Sequence, residues 1–246
     1  MFTRAFSLLI LLCVVSPVWA QTVTEQIRST TQVLVNNPEA IELLKKIEAK
    51  HQTIQRVQCE FTQKKTSSLF LETIESKGNF WYVKPDQNNP DRLRIEYTKP
   101  DILINMIIGD AAYIVNPVIR QVEKYNFKKE DRTTQQLNQM LLGFGQSVTE
   151  LEKFFHIELA EKDPRADENL LSVIFEPLPH VKNRLFKKCQ VNISQKADEL
   201  YPKSFIIEDT QGDTTLVTIH SVIWNGEISE DKFSLNFPSS WDWIER

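Results

Sequence analysis

The sequence predicts a mainly β fold of the α+β kind, built on one curved antiparallel sheet with helices held against it. Three observations predict this. Short alternating segments recur from VQCEF to KFSLNF with turn formers between them, which leaves no room for crossover helices and forces neighbouring strands to run antiparallel. One long helical period stands ahead of the strands, and two shorter ones interrupt them. A sheet of about ten strands or more does not stay flat, so it must curl, split or fold over.

Taken in order, the chain opens MFTRAFSLLILLCVVSPVWAQ, with Arg4, an apolar run from Phe6 to Val15, then Pro17 and the small-residue end Val18-Trp19-Ala20. This predicts a secretory signal peptide over residues 1–20, cut after Ala20. A membrane anchor is the competing reading, but the run is shorter than the roughly 20 residues a spanning helix needs. Lipidation at Cys13 is rejected, because Leu12 stands where a small residue is required. Residues 21–37 form a polar N-terminal extension, and residues 38–246 are expected to make a single domain.

Asn37-Pro38-Glu39 supplies a helix start: a capping side chain, a proline at the first position and an acid in the first turn. The helix is expected to run to about Val57, with Ile41, Leu44, Ile47, His51 and Ile54 as one apolar stripe. His51 on that stripe reads as a core histidine rather than a ligand. Strand patterns follow in VQCEF, LFLETIE, GNFWYV, RLRIEY, ILINMII, AAYIV and RQVEKY, and a meander is the simplest way to join them. TTQQLNQMLLGFG and SVTELEKFF then have helical spacing, with Gly143 and Gly145 as stops. A second strand series follows in FHIELAE, LLSVIFE, FKKCQVNIS, KSFIIED, TTLVTIHSVIW and KFSLNF, with Gln211-Gly212-Asp213 as a hairpin turn.

Composition narrows the function. At 41% hydrophobic, 25% charged and a formal charge of −4, the chain is an ordinary globular one, and nothing marks it as a nucleic-acid binder. The four histidines are scattered and the six glycines form no phosphate loop or nucleophile elbow, so no metal, no cofactor and no enzyme activity are expected. Cys59 and Cys189 are read as two buried thiols, with a disulfide as the alternative an oxidising compartment would allow.

One hairpin stands out. In KGNFWYVKPDQNNPDRLRIEY, Leu93, Ile95 and Tyr97 alternate with Arg92, Arg94 and Glu96, so the second strand has one apolar and one charged face. Phe80 and Tyr82 point one way on the first strand, Trp81 and Val83 the other, and both pairs are apolar. Such a face covers a core or lines a cavity for an apolar guest, and the residues alone leave both readings open.

In this order the segments resemble LolA-type periplasmic outer-membrane lipoprotein carriers. The helix leads into Cys59-x-Phe61-x-Gln63, where the family has small-x-Phe-x-Gln. GNFWYVKP, RLRIEY and TKP, then AYIVNP and RQVEKY, match the family's next strands, and YPKSFIIEDTQGDTTLVTIHSVIWN with FSLNFP matches its closing hairpin and final strand. The likeness runs from about Pro38 to Pro238. It departs in residues 21–37, in the enlarged turn from Asp86 to Asp91, and at Lys84, where many carriers have an arginine whose planar fork lysine cannot supply.

The resemblance implies an incomplete β-barrel closed by the N-terminal helix and short lid helices, with acyl chains bound between sheet and helices. On this basis Phe61, Phe80, Tyr82, Leu93, Ile95, Tyr97, Leu141 and Leu142 are candidate acyl-chain contacts, and Lys84 is a candidate sheet–lid contact. It implies a monomeric periplasmic carrier that takes acylated lipoproteins from an inner-membrane ABC-type release complex to an outer-membrane receptor. A lipid- or protein-sensing domain on the same fold, or a carrier of other acylated lipids, are the alternatives.

Overall fold

The computed structural model describes residues 35–126, 147–161, 169–181, 184, 186–196 and 200–246 of the chain. The first helix, α1, spans Pro38–His51 and starts where its capping residues predict, with Asn37 Oδ1 accepting from the Ala40 amide at 3.0 Å. It stops well short of Val57. Asn225, in the left-handed region at φ 54°, accepts from the amides of Gln55 (2.7 Å) and Arg56 (3.2 Å) and draws them out of the helical path. Ile54 and Val57 stay buried, but as the turn and the first strand.

Six strands follow: β1 Arg56–Thr66, β2 Thr73–Val83, β3 Arg92–Lys99, β4 Leu103–Ile108, β5 Ala111–Asn116 and β6 Gln121–Asn126. After α2 (Val148–Phe154) come β7 Phe155–Leu159, β8 Leu170–Pro177, β9 Lys188–Ser194, β10 Pro202–Glu208, β11 Thr214–Trp224 and β12 Asp242–Glu245. The twelve strands form one sheet in the order β12-β6-β5-β4-β3-β2-β1-β11-β10-β9-β8-β7. The sheet is curved and open, since its edge strands β12 and β7 do not pair. It is two meanders rather than one, joined where β11 returns antiparallel to β1.

Three expectations are corrected. Leu69-Phe70-Leu71 is no strand but the tip of the β1–β2 hairpin: Thr66 and Thr73 are the last pair, and Ser67 N–H to Glu72 O (2.9 Å) and Leu71 N–H to Ser67 O (2.9 Å) close the turn. KFSLNF does not pair either. It begins in a 3₁₀ turn, Glu230–Phe233, and its apolar residues dock by their side chains across the sheet, so its alternation reports packing onto a face rather than membership of it. The ladder is antiparallel except at one edge, where β12 runs parallel to β6.

Register assigns every strand residue to one of two faces. On the inner face, which carries α1 and α2, the β7–β11 half packs Ile157, Phe175, Val191, Ile193 and Phe205 against Ala40, Leu44 and Ile47 of α1 and Val148 of α2. Phe155 lies stacked on Phe186 at 5.5 Å within the same cluster. The outer face of β2–β6 is covered by the C-terminal segment, with Phe233 against Trp81 and Val83, and Leu235, Phe237 and Trp241 against Met106, Tyr113, Val115 and Val122. Among the described residues, no helix is long and apolar enough to cross a membrane.

Candidate functional site

The candidate residues come together on the inner face of the β1–β4 half. Val57 pairs with Tyr82 and Cys59 with Phe80, while Tyr82 pairs with Leu93 and Phe80 with Ile95, so these side chains share one side of neighbouring strands. Phe61, Phe80, Tyr82, Leu93 and Ile95 are buried there in one cluster with Ile54, Ile107 and Ala112, and Tyr97, Val222 and Trp224 border it. The two-sided first strand of the hairpin is thereby resolved: Phe80 and Tyr82 face inward, Trp81 and Val83 outward.

Gly78 fixes the geometry at the upper border of this patch. A Cβ on it would lie 2.5 Å from the Glu96 carbonyl oxygen and 2.7 Å from Phe61 Cζ, so only glycine lets the Phe61 ring lie across the strand. Phe61 meets Tyr97 edge to face at 5.6 Å, a favoured aromatic geometry. The Tyr97 hydroxyl donates to Gln63 Oε1 at 3.2 Å. The Cys-x-Phe-x-Gln strand and the Arg-x-Arg-x-Glu-Tyr strand therefore meet over one glycine. Burial pushes the Tyr97 and Tyr82 hydroxyls up to about 12, and the Cys59 thiol likewise, to about 12.

The alternating partners Arg92, Arg94 and Glu96 point to the outer face and hold the C-terminal segment. Arg92 pairs with Glu230 and lies 5.0 Å over the Phe233 ring. Arg94 donates to Glu96 at 2.7 Å and to the Lys232 carbonyl at 2.9 Å, beside Trp81. Lys84 lies just past the end of β2 and reaches the helix that packs on the inner face. Its ammonium donates to the His51 carbonyl at 2.8 Å and to that of Gln52 at 3.4 Å, tying the end of β2 to the C-terminus of α1, where a cation is favoured. A point donor suffices for carbonyls, so no planar fork is needed. Leu141 and Leu142 lie outside the described residues.

The sequence reading misses several members of the patch. It leaves Val57 at the boundary between the helix and the strand VQCEF, and does not single out Ile107, Ala112, Val222 and Trp224. Asn105 is missed although its signal is plain: it is the one polar residue within ILINMII, paired with Ile95 and Ile114, buried at 6% exposure on the inner face. His51 is buried as expected of a core histidine, its ring 5.3 Å from Trp224. Cys59 and Cys189 are free thiols, one in each inner-face cluster. Among the described residues no group of three or more His, Cys, Asp and Glu could hold a metal ion.

The family model described as outer membrane lipoprotein carrier protein LolA matches residues 52–236. No curated protein matches the chain. Among solved structures, a conserved protein from Thermus thermophilus is 10% identical with a TM-score of 0.51, over 85% of this chain and 99% of that one. A putative outer membrane lipoprotein-sorting protein domain from Vibrio parahaemolyticus is 9% identical with a TM-score of 0.44, over 79% of this chain and 96% of that one. The Mycobacterium tuberculosis lipoprotein LppX is 11% identical with a TM-score of 0.44, over 79% and 99%. At such identities likeness concerns the fold alone, and the fold comparison rests on the Thermus structure.

Proposed function

The chain belongs to the family of the outer membrane lipoprotein carrier protein LolA, and on that premise we propose that it is a periplasmic carrier that shields lipoprotein acyl chains between two membranes. Residues 1–20 are the leader that delivers it, and residues 38–246 are one carrier domain. Its partners are an inner-membrane ABC-type release complex, which loads it, and an outer-membrane receptor, which unloads it.

The observation that carries the reading is the gathering of Phe61, Phe80, Tyr82, Leu93, Ile95 and Tyr97 on one inner face of neighbouring strands. An acyl chain gains about 0.8 kcal/mol per buried CH₂, so crossing water requires a dry apolar wall. This patch is such a wall: its aromatic and branched side chains offer contact along the strands, and its phenols and thiol stay uncharged at neutral pH. The same affinity makes release difficult, and the wall lowers that barrier by closing on its own apolar neighbours when the guest leaves. No covalent chemistry is asked of any residue, and the protein acts by binding alone.

Native mass spectrometry of the protein taken from its own periplasm tests this. A diacyl or triacyl adduct is the expected result. Protein that carries only a small metabolite, or nothing, in cells actively exporting lipoproteins would contradict the carrier role.

A further inference from the structure

Strands β1 to β6 pair antiparallel in sequence order, so the β1–β2, β3–β4 and β5–β6 connections emerge at one end of the sheet and the β2–β3 and β4–β5 connections at the other. The two ends differ in chemistry. Connections at the second end read KPDQNNP and Gly109-Asp110. At the first end, large apolar side chains stand in water: Leu69 (78% exposed), Phe70 (71%) and Leu71 (82%) on the β1–β2 tip, Ile102 on the β3–β4 tip, and Val118 and Ile119 on the β5–β6 tip. Ile74 near the start of β2, and Trp243 opposite Val122 near the start of β6, add to that end. Among the described residues, Val35 and Ile223 are the exposed large apolar side chains elsewhere.

The leading tip is built. Its turn is closed by the two backbone bonds of Ser67, and Asp213 of the neighbouring β10–β11 turn accepts from the Ser68 amide at 3.0 Å and its hydroxyl at 3.2 Å. Leu71 is held at φ 55°, a region a branched side chain occupies only when its surroundings fix it there. β2 pairs with β3 only as far as Lys77, so Thr73 to Ser76 run on past that neighbour by about 13 Å at the usual strand rise. Charges at the base of the tip neutralise one another, Lys65 with Asp213 at 3.2 Å and Lys64 with Glu75 at 3.5 Å. What projects furthest is the apolar Leu69-Phe70-Leu71, with Glu72 beside it and the exposed Lys77, Lys99, Asp101 and Arg120 of both signs around the other tips.

We infer that this end of the sheet is a membrane-docking edge, whose hairpin tips enter the headgroup–acyl boundary of a lipid bilayer. The inference rests on the carrier reading, since cargo acyl chains start and finish in a bilayer. Several convex tips on separate hairpins fit a fluid lipid surface without shape complementarity, whereas a protein groove would have to match each one. Balanced charge at the edge makes apolar insertion the driving force, so docking is insensitive to salt and to anionic lipid.

Flotation of the secreted full chain with phosphatidylcholine vesicles tests the edge. The wild type floats with the vesicles equally at roughly 0.1 and 0.5 M salt. Leu69→Ser/Phe70→Ser/Leu71→Asn lowers the bound-to-free ratio about tenfold or more, and Val118→Ser/Ile119→Ser lowers it less. Both variants melt like wild type, because the side chains changed are exposed. A triple variant that floats like wild type, or a wild type that binds only anionic vesicles at low salt, overturns the inference. Binding of a fluorescent acyl-chain probe without vesicles separates the two readings. A wild type that takes the probe yet ignores vesicles loses only the docking edge; one that takes no probe loses the carrier role.

Discussion

At residue scale the organising contact is the glycine beneath two rings. Gly78→Val would drive a side chain into the Glu96 carbonyl and the Phe61 ring, and overpacking of this kind costs about 1–3 kcal/mol. Thermal melting should show a lowered midpoint, and an unchanged one would mean that β2 does not pass under Phe61. The phenols and thiols of the inner face, Tyr82 and Cys189 buried and Tyr97 and Cys59 half-buried, make a second prediction. Tyr82 and Tyr97 rise from 10.0 to about 12, and Cys59 and Cys189 from 9.0 to about 12, in each case chiefly by burial. The folded chain thus holds protons that the unfolded chain releases. The stability they contribute is complete below about pH 9 and is lost as pH rises toward 12. A melting midpoint that falls across that window is expected, as is slow native labelling of the fully buried Cys189 by a thiol reagent at mildly alkaline pH; rapid labelling of Cys189 would contradict its burial. Residue roles were only partly legible in the sequence. Alternation put Leu93, Ile95 and Tyr97 on one face, but it left Phe80 and Tyr82 indistinguishable from Trp81 and Val83, because both faces of β2 are covered by apolar partners.

At the scale of elements, boundaries were set by contacts between residues far apart in sequence. The cap and proline of α1 are local, and its start was legible. Its end was not, because the amides of Gln55 and Arg56 answer to Asn225, some 170 positions away. The alternation in LFLETIE and KFSLNF suggested strands, yet one apolar run caps a hairpin in water and the other lies across a sheet face, and periodicity is blind to that difference. The C-terminal segment is held by Arg92 and Arg94 against Phe233 and Trp81. Arg94→Ala removes the bonds to Glu96 and Lys232 and leaves a half-buried carboxylate unpaired, a loss of about 1–3 kcal/mol. Limited proteolysis should then cut between residues 225 and 241 faster than in wild type; an unchanged rate would mean that the segment is held by its apolar residues alone.

For the whole molecule, short strands and tight turns made an antiparallel curved sheet legible, while the junction of two meanders through β1 and β11 was not, since no local signal tells a strand which distant partner it will meet. That junction matters. It makes one inner face continuous from the helix-packed β7–β11 half to the patch on β1–β4, with Val217 bordering both clusters. A carrier of the kind proposed holds acyl chains on this inner face and not on the outer one. A diazirine photoprobe placed at position 95 on β3, and separately at position 104 on β4, tests it most directly, because Ile95 faces inward and Ile104 outward under the C-terminal segment. With lipoprotein loaded from inner-membrane vesicles, the probe at 95 should crosslink to cargo acyl chains and the probe at 104 to the protein's own C-terminal segment. Cargo captured at 104 and not at 95 would mean that acyl chains bind the outer face instead.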